Sequence, residues 1–295
     1  MNSLPNQSKS SSAIFEERMR SDSRTIDDLI NLALSGTNED EMDEALFVLR
    51  YRGTWEVYEK SKELCLSESK ERRELGVMIL GQLGIPERSF PKKCVSFLLD
   101  LLITESDNDV LASICYALGQ QVYDVRSFRY LAKMKNHSDA QVRAAVAYAL
   151  GCNCSSSGPE EDHVVRDLIE LSQDLDSEVR SWATFGLGTQ LDLDRPDIRE
   201  ALYARLSDED FETHGEAQVG LARRRDERVI DSLLQEFTNQ KIGVLALEAI
   251  EELGNPSFYP LLIKVRNDRN IESDYLRSVL DDAIWSCNPS KSDDI

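Results

Sequence analysis

One pattern occurs three times along this chain, and it constrains the fold more than any other feature of the sequence. Each copy begins with Asp, has Val three residues later and ends in Leu-Gly, with twelve residues from the Asp to the Gly. The copies occupy 107–119, 139–151 and 176–188, and fainter copies end at Gly81, Ala222 and Gly254. Successive copies end 32 to 38 residues apart. A period of this length indicates a stack of similar supersecondary units.

The unit that ends at Gly188 predicts two helices joined by a short turn. Val164, Leu168 and Leu171 share one face of a first helix, because they are spaced four and three residues apart. Asp176 is expected to cap the N-terminus of a second helix through its side-chain oxygen. Gly188 is expected to end that helix in the left-handed conformation, which glycine adopts at little cost. Each unit is therefore predicted to be a helical hairpin.

The same arrangement recurs about eight times within residues 25–287, and no segment shows the alternation of a β-strand. The predicted fold is all-α, an α-solenoid of about eight helical hairpins. Residues 1–24 are rich in Ser and carry few apolar side chains, which indicates a disordered tail, and residues 288–295 are predicted to be a frayed end. The predicted helix pairs are 26–35 with 39–51, 54–66 with 69–83, 91–104 with 107–120, 126–135 with 139–151, 160–173 with 176–188, 195–206 with 209–223, 226–237 with 240–253 and 256–267 with 272–286.

In two copies the pattern extends to Asp-x-x-Val-Arg at the start of a helix that ends in Leu-Gly. This pattern resembles the HEAT repeat, and in particular the short HEAT-like repeats named after phycobilisome lyases. The resemblance implies that the Asp and Arg of neighbouring second helices hold the stack together and that the second helices line a concave face. Leu111 and His214 stand where Arg is expected, so this ladder is predicted to be interrupted on both sides. The implied ladder residues are Asp139, Arg143, Asp176 and Arg180.

Three successive second helices carry an aromatic residue three positions before their closing Gly. In the resembled fold this register faces the concave surface. Two interpretations are open: the rings fill the core between hairpins, or they form an exposed stripe that binds a partner protein. Under the second interpretation, aromatic rings supply the large contact areas that dominate binding energy. The candidate partner-binding residues are Tyr116, Tyr148, Phe185 and, one turn away, Trp182.

The charge of the chain disfavours nucleic acid as a partner. There are 54 acidic and 34 basic residues, which gives a net charge of −20. Binding to phosphates depends on Lys and Arg, so this chain is expected to repel DNA and RNA and to attract a protein with a basic surface. DNA glycosylases of HEAT architecture need a cationic groove and are disfavoured for the same reason. The sequence has no apolar run long enough to span a membrane and no secretory signal, so a cytoplasmic protein is expected.

The sequence gives little sign of catalysis or of a cofactor. Cys152 and Cys154 lie close together, but the paired ligand spacing of a structural zinc site is absent, so no metal or cofactor is predicted. The common catalytic motifs are also absent, which favours a non-catalytic role and leaves the question of an enzyme open. The favoured function is a monomeric scaffold or adaptor that binds a partner protein. The alternatives are a phycobilin lyase or chaperone-like subunit acting on a phycobiliprotein, which the resemblance implies, and an immunity-type inhibitor of a basic protein.

Overall fold

The computed structural model describes residues 18–19, 21–36, 38–153, 160–238, 242–268 and 273–290. These residues contain sixteen α-helices of eight residues or more and no strand, so the predicted all-α fold is confirmed. The helices are α1 (Ile26–Ala33), α2 (Glu39–Arg52), α3 (Trp55–Cys65), α4 (Lys70–Gly81), α5 (Pro91–Thr104), α6 (Asn108–Gln120), α7 (Val125–Met134), α8 (Ala140–Cys152), α9 (Glu161–Leu171), α10 (Ser177–Phe185), α11 (Pro196–Arg205), α12 (Phe211–Arg223), α13 (Ile230–Thr238), α14 (Val244–Leu253), α15 (Tyr259–Asp268) and α16 (Asp274–Ser286).

The helices pair into eight hairpins, each made of an odd-numbered helix and the even-numbered helix after it, as the sequence predicts. The chain divides into two compact units, Met1–Ser127 and Phe128–Ile295. Within the first unit α4 packs against α6, and within the second unit α8, α10, α12, α14 and α16 pack in sequence. Within each unit, neighbouring hairpins therefore contact one another through their second helices, which is the stacking that characterises an α-solenoid.

An Asp side chain starts several of the second helices. Asp107, Asp139, Asp176 and Asp210 each precede an even-numbered helix and accept a hydrogen bond from one or two backbone N–H groups of its first turn. These N–H groups have no partner within the helix, so the carboxylate satisfies them and also lies at the positive end of the helix dipole. The repeated Asp is thus explained by helix capping.

The repeated Gly has a different role from the one predicted. Gly151 lies inside α8, and Gly188 lies in a π-helical turn that continues α10 as far as Gln190; neither has a positive φ. A Cβ placed on Gly151 would lie 2.7 Å from the Cα of Gly186, and one on Gly188 would lie 3.1 Å from the Cα of Gly220. The prediction that Gly188 ends its helix in the left-handed conformation is therefore wrong. Glycine is needed because neighbouring second helices approach backbone to backbone.

The repeated apolar positions form the core between hairpins. The Leu before each closing residue is buried. The residue five positions before each closing residue is buried as well, and in most hairpins it is small or β-branched. Full burial of one Leu or Val side chain contributes about 1.5–3 kcal/mol relative to exposure, so these two columns supply much of the stability of the stack. The fully buried members of the second column include Ile114, Val146, Ala183, Ala217 and Ala249.

Most of the predicted N-terminal tail and the last five residues lie outside the described residues. Of the described part before residue 25, Met19 is buried, and Asp22 accepts hydrogen bonds from Arg24 and Arg52. No helix among the described residues is both long enough and apolar enough to cross a membrane.

Candidate functional site

The second unit contains a cavity of about 740 Å³ between α10 and the N-terminal parts of α12 and α14. We call it the α10–α14 groove. Apart from Ser181 and Gly243, its lining residues are aromatic, aliphatic or acidic, and the described residues that line it include no Lys or Arg. Its volume lies within the range of ordinary ligand pockets and exceeds the needs of a single side chain. The lining residues are Glu178, Ser181, Trp182, Phe185, Phe211, Glu212, Glu216, Gly243, Val244 and Leu245.

Two of the four predicted partner-binding residues, Trp182 and Phe185, line this groove, and a third, Tyr148, contacts Trp182. The Tyr148 and Trp182 rings meet edge to face with centroids 5.0 Å apart, and the Trp182 and Phe185 rings do so at 5.7 Å. All three residues are half-buried, so the rings are neither sealed between helices nor fully exposed. Tyr116 is also half-buried, on α6 in the first unit. The geometry of the three rings in the second unit leaves part of their area open to a ligand.

The sequence reasoning missed the opposite wall of the groove. Phe211, the first residue of α12, is 73% exposed, and Val244 and Leu245 begin α14. These residues belong to the sixth and seventh hairpins, where the repeated pattern is faint. A Phe directly after a capping Asp was the sequence signal for this wall, because an apolar side chain at the start of a helix buries little of its area against that helix.

Glu216 is the carboxylate with the most unusual environment in the groove. Burial raises its pKa to about 7, a hydrogen bond of 3.2 Å donated by the Thr189 hydroxyl opposes this shift, and the charges of Glu248 and Glu212 add to it. Farther along, burial and the neighbouring acids, led by Asp282, raise the pKa of Glu251 as well. The faces of α12 and α14 near the groove therefore carry several acidic side chains, and no Lys or Arg is among the described residues that line it.

The predicted ladder arginines join successive hairpins, and each binds an acid in the turn between the two helices of the next hairpin. Arg143 forms a bidentate ion pair with Asp174, with both N–O distances 2.8 Å, and Arg180 does the same with Asp208 at 2.9 and 2.8 Å. Asp174 and Asp208 lie in the turns that precede the next capping residue, two positions before it. The carboxylates of Asp139 and Asp176 cap the N-termini of their own helices.

Each ladder arginine also binds the turn of its own hairpin. Nη1 of Arg143 donates to the carbonyls of His137 and Ser138, and Nη1 of Arg180 donates to those of Asp174 and Leu175. The hydrogen bonds from Arg143 lower the pKa of Asp174; burial raises that of Asp208, but Arg180 brings it below its usual value. These contacts give both arginines a structural role.

A third ladder position went unnoticed in the sequence. Arg73 lies four residues after the capping Ser69, pairs with Glu105 of the next hairpin at 2.8 Å and donates to the carbonyls of Ser67 and Glu68. The faint copy ending at Gly81 has Ser in place of the capping Asp, which hid this register. At the same position of the sixth hairpin, His214 Nε2 lies 3.4 Å from a carboxylate oxygen of Glu236.

Arg224 is the middle residue of the basic run Arg223–Arg225 at the end of α12, and it is buried although both of its neighbours are exposed. Arg224 is only 9% exposed. Its guanidinium donates to the backbone carbonyls of five residues, four of them in or just after the π-helical turn and one in α12. Arg223 donates to the carbonyl of Thr189, and Arg225 donates to that of Leu253 at 2.8 Å. We call these three residues the arginine clamp. They satisfy carbonyls at the C-terminal ends of α10, α12 and α14.

The cysteines offer no metal site among the described residues. No group of three His, Cys, Asp or Glu side chains there could hold a metal ion. Cys152 is half-buried, and burial raises the pKa of its thiol, while Cys154 lies outside the described residues. The buried Cys65, Cys94 and Cys115 have pKa values raised to about 12 by burial. These thiols are therefore unreactive apolar side chains.

Comparison with known proteins identifies the class to which this fold belongs. Residues 165–254 match the family model of HEAT repeats, so the resemblance that the sequence pattern indicates is confirmed for this part of the chain. Protein YibA of Escherichia coli K12 is 28% identical over 224 residues, which cover 73% of this chain and 76% of YibA. The X-ray structure of YibA superposes with a TM-score of 0.63 at 22% identity, over 97% of this chain and all of YibA, and supports the fold.

A phycocyanin lyase complex is also among the similar structures. The complex of CpcE and CpcF from Nostoc has a TM-score of 0.48 at 16% identity, over 97% of this chain and all of that chain. A likeness at this level carries no argument about activity. The phycobilin lyase alternative therefore stays a prediction from the resemblance of the repeats.

Proposed function

We propose that this chain is a non-catalytic scaffold that binds a partner protein through the α10–α14 groove, and that the bound segment of the partner is basic. The observation that carries this proposal is the composition of the groove. Aromatic and aliphatic walls stand beside three glutamates, and its described lining residues include no cation. Apolar walls supply binding energy, and carboxylates supply selectivity for a cationic partner.

The aromatic walls are suited to a partner segment. Trp182 and Phe185 are held edge to face, so little side-chain freedom is lost when a ligand packs against them. Phe211 is 73% exposed and gains most from being covered. A bound segment would thus bury apolar area that water now contacts on two neighbouring helices.

The charge distribution favours a basic partner. The three lining glutamates lie near Glu248 and Glu251, and the whole chain has a net charge of −20. This field attracts a basic protein from a distance and increases its association rate at low salt. The same property suits an adaptor and an inhibitor of a basic protein. An assay of the partner's own activity with and without this chain separates these two roles.

The five cysteines among the described residues are free. Free cysteines suit a reducing compartment, so we infer that binding takes place in the cytoplasm.

The test is a quantitative capture experiment in the source organism. The tagged wild-type chain, a Phe211→Ala variant and a Leu175→Ala control are purified in parallel, and the captured proteins are quantified by mass spectrometry. Leu175 is 99% exposed in the turn before α10 and does not line the groove, so its variant removes a comparable apolar side chain elsewhere. We expect one basic protein that the wild type and Leu175→Ala capture alike and that Phe211→Ala loses. Equal capture by all three chains contradicts the proposal.

A further inference from the structure

Elsewhere in the second unit, the chain holds one of its own arginines in a setting of the same composition as the groove. The guanidinium carbon of Arg228 lies 4.6 Å from the centroid of the Tyr203 ring. Its Nη1 and Nη2 atoms each lie 2.7 Å from a carboxylate oxygen, of Glu200 and Asp226 respectively. One ring and two carboxylates are thus sufficient to bind an arginine. The α10–α14 groove presents rings and carboxylates to a side chain from outside.

Resting on the proposed function, we propose that the groove recognises an arginine of the partner, whose guanidinium binds the carboxylate of Glu216 and stacks on the rings of Trp182 and Phe211. A guanidinium is planar, stacks on aromatic faces and is less strongly hydrated than an ammonium. It therefore enters a half-buried cavity at a lower desolvation cost than lysine. Two parallel N–H donors also match the two oxygens of a carboxylate.

Glu216 is placed to receive such a group. Its Oε2 atom accepts a hydrogen bond from the Thr189 hydroxyl, which holds the side chain in position, and no described residue donates to Oε1. Glu178 and Glu212 lie in the first turns of their helices, where the helix dipole stabilises a negative charge. Glu216 lies one turn farther along α12, where this stabilisation has faded. A cation from outside would provide the compensation that the fold does not.

The site also predicts how binding depends on pH. The groups that face Glu216 are Glu212 on its own helix, Glu248 on α14, Glu178 across the groove on α10, and the Thr189 hydroxyl from the π-helical turn. Among the described residues these groups are all acidic or neutral. Burial and the charges of Glu248 and Glu212 bring the pKa of Glu216 to about 7, against the opposing effect of the Thr189 hydrogen bond. The arginine stays charged, so the ion pair forms only when Glu216 is ionised. Raising the pH from 6 to 8 should therefore increase affinity about tenfold.

The experiment uses Trp182 as a reporter inside the groove. The chain has three tryptophans, and Trp55 and Trp285 are 47% and 68% exposed, so a full-length chain with Trp55→Phe and Trp285→Phe leaves Trp182 as its only tryptophan. The probes are acetylated and amidated peptides of sequence Gly-Leu-Arg-Leu-Gly, with lysine or the uncharged isostere citrulline replacing arginine in two further peptides. We expect the arginine peptide to bind at pH 8 about tenfold more tightly than the citrulline peptide, with lysine between them.

Two matched variants locate the effect. Glu216→Gln keeps the shape of the side chain and should remove both the preference for arginine and the dependence on pH. Glu227→Gln removes one charge at an exposed position outside the groove and should change neither. Equal binding of the arginine and citrulline peptides, no response of Trp182 to any peptide, or a preference that survives Glu216→Gln overturns the inference.

These outcomes are independent of the capture experiment. If Phe211→Ala loses the partner while arginine and citrulline peptides bind alike, the groove remains a protein-binding surface and the arginine inference fails. If Phe211→Ala retains the partner while the arginine preference holds, the groove is an arginine site and the proposed function fails.

Discussion

The charged side chains at the two ends of helices α10, α12 and α14 have opposite signs and different surroundings. At the C-terminal ends, the arginine clamp donates hydrogen bonds to backbone carbonyls of the chain itself. At the N-terminal halves, Glu178, Glu212 and Glu216 face an open groove without a cation among its described lining residues. The dipole of each helix favours this separation of charge. The comparison distinguishes the charges that stabilise the fold from the charges that face an open groove.

Thr189 connects the two ends. Its carbonyl accepts from Arg223 of the clamp, and its hydroxyl donates to Glu216 in the groove. A change on either side can therefore reach the other through one residue. The variants below separate the clamp, the ladder and the groove, and they are ordered by the size of the expected effect.

The largest effect is expected from removing the centre of the clamp. Arg224→Ala leaves five carbonyl contacts without their donor at a site that is 9% exposed, so the free energy of unfolding should fall by about 3 kcal/mol. Urea unfolding followed by circular dichroism measures this change. Arg223→Ala is the control, because Arg223 is exposed and donates to a different carbonyl, that of Thr189. A loss of less than 1 kcal/mol for Arg224→Ala would show that the clamp contributes little to the stability of the fold.

The ladder should contribute somewhat less than the clamp. Arg180→Ala removes the bidentate partner of Asp208, whose side chain is 4% exposed but keeps a contact with Arg205 at 3.2 Å. We expect the free energy of unfolding to fall by about 2 kcal/mol, with unchanged binding of the arginine peptide. A melting temperature equal to that of the wild type, together with lost binding, would make Arg180 a ligand-binding residue instead.

The aromatic side of the groove should affect binding more than folding. Tyr148→Ala removes the ring that meets Trp182 edge to face, so Trp182 is less firmly held and partner binding should weaken by about 1.5 kcal/mol. Titration of the captured partner by calorimetry measures the change in Kd. Tyr203→Ala, which removes a ring outside the groove, should leave that Kd unaltered.

The smallest effect concerns the unliganded groove. The folded-state pKa of Glu216 is raised above its unfolded value, so its protonation stabilises the fold below about pH 4.5, and this contribution is lost as the pH rises through about 7. Glu216→Gln should therefore be more stable than the wild type at pH 8 by about 1 kcal/mol and equal to it at low pH. Unfolding at several pH values tests this. Lower stability of the variant at pH 8 would assign Glu216 to the fold.

The sequence predicts the hairpins well because the residues that determine each hairpin lie close together in the chain. A capping Asp and a Leu column act within one hairpin or between adjacent ones, so their spacing is visible in the repeat. The acids that bind the ladder arginines could not be assigned this way, because Asp174 and Asp208 lie in turns that the helical pattern does not describe. The role of Gly188 was misread because it depends on the backbone of Gly220, in a different hairpin.

The clamp and half of the groove were beyond the reach of the pattern for a related reason. The carbonyls that Arg224 binds outside α12 lie 31 to 37 residues earlier in the chain and are brought within reach by a π-helical turn that no short motif announces. Phe211 gains its meaning only when α10 and α14 are placed beside it. Features that involve three hairpins at once are thus the ones that need the structure.

The ladder makes the hairpins interchangeable as building blocks. The hairpin of α9 and α10 presents an acceptor, Asp174, to the hairpin before it and a donor, Arg180, to the hairpin after it. A second copy inserted beside the first would offer the same donor and the same acceptor at its two faces, so it would meet its neighbours without any new contact having to evolve. Gene segments of this kind can lengthen or shorten an array by whole units, and the groove can then be widened or displaced without redesigning the joint between hairpins.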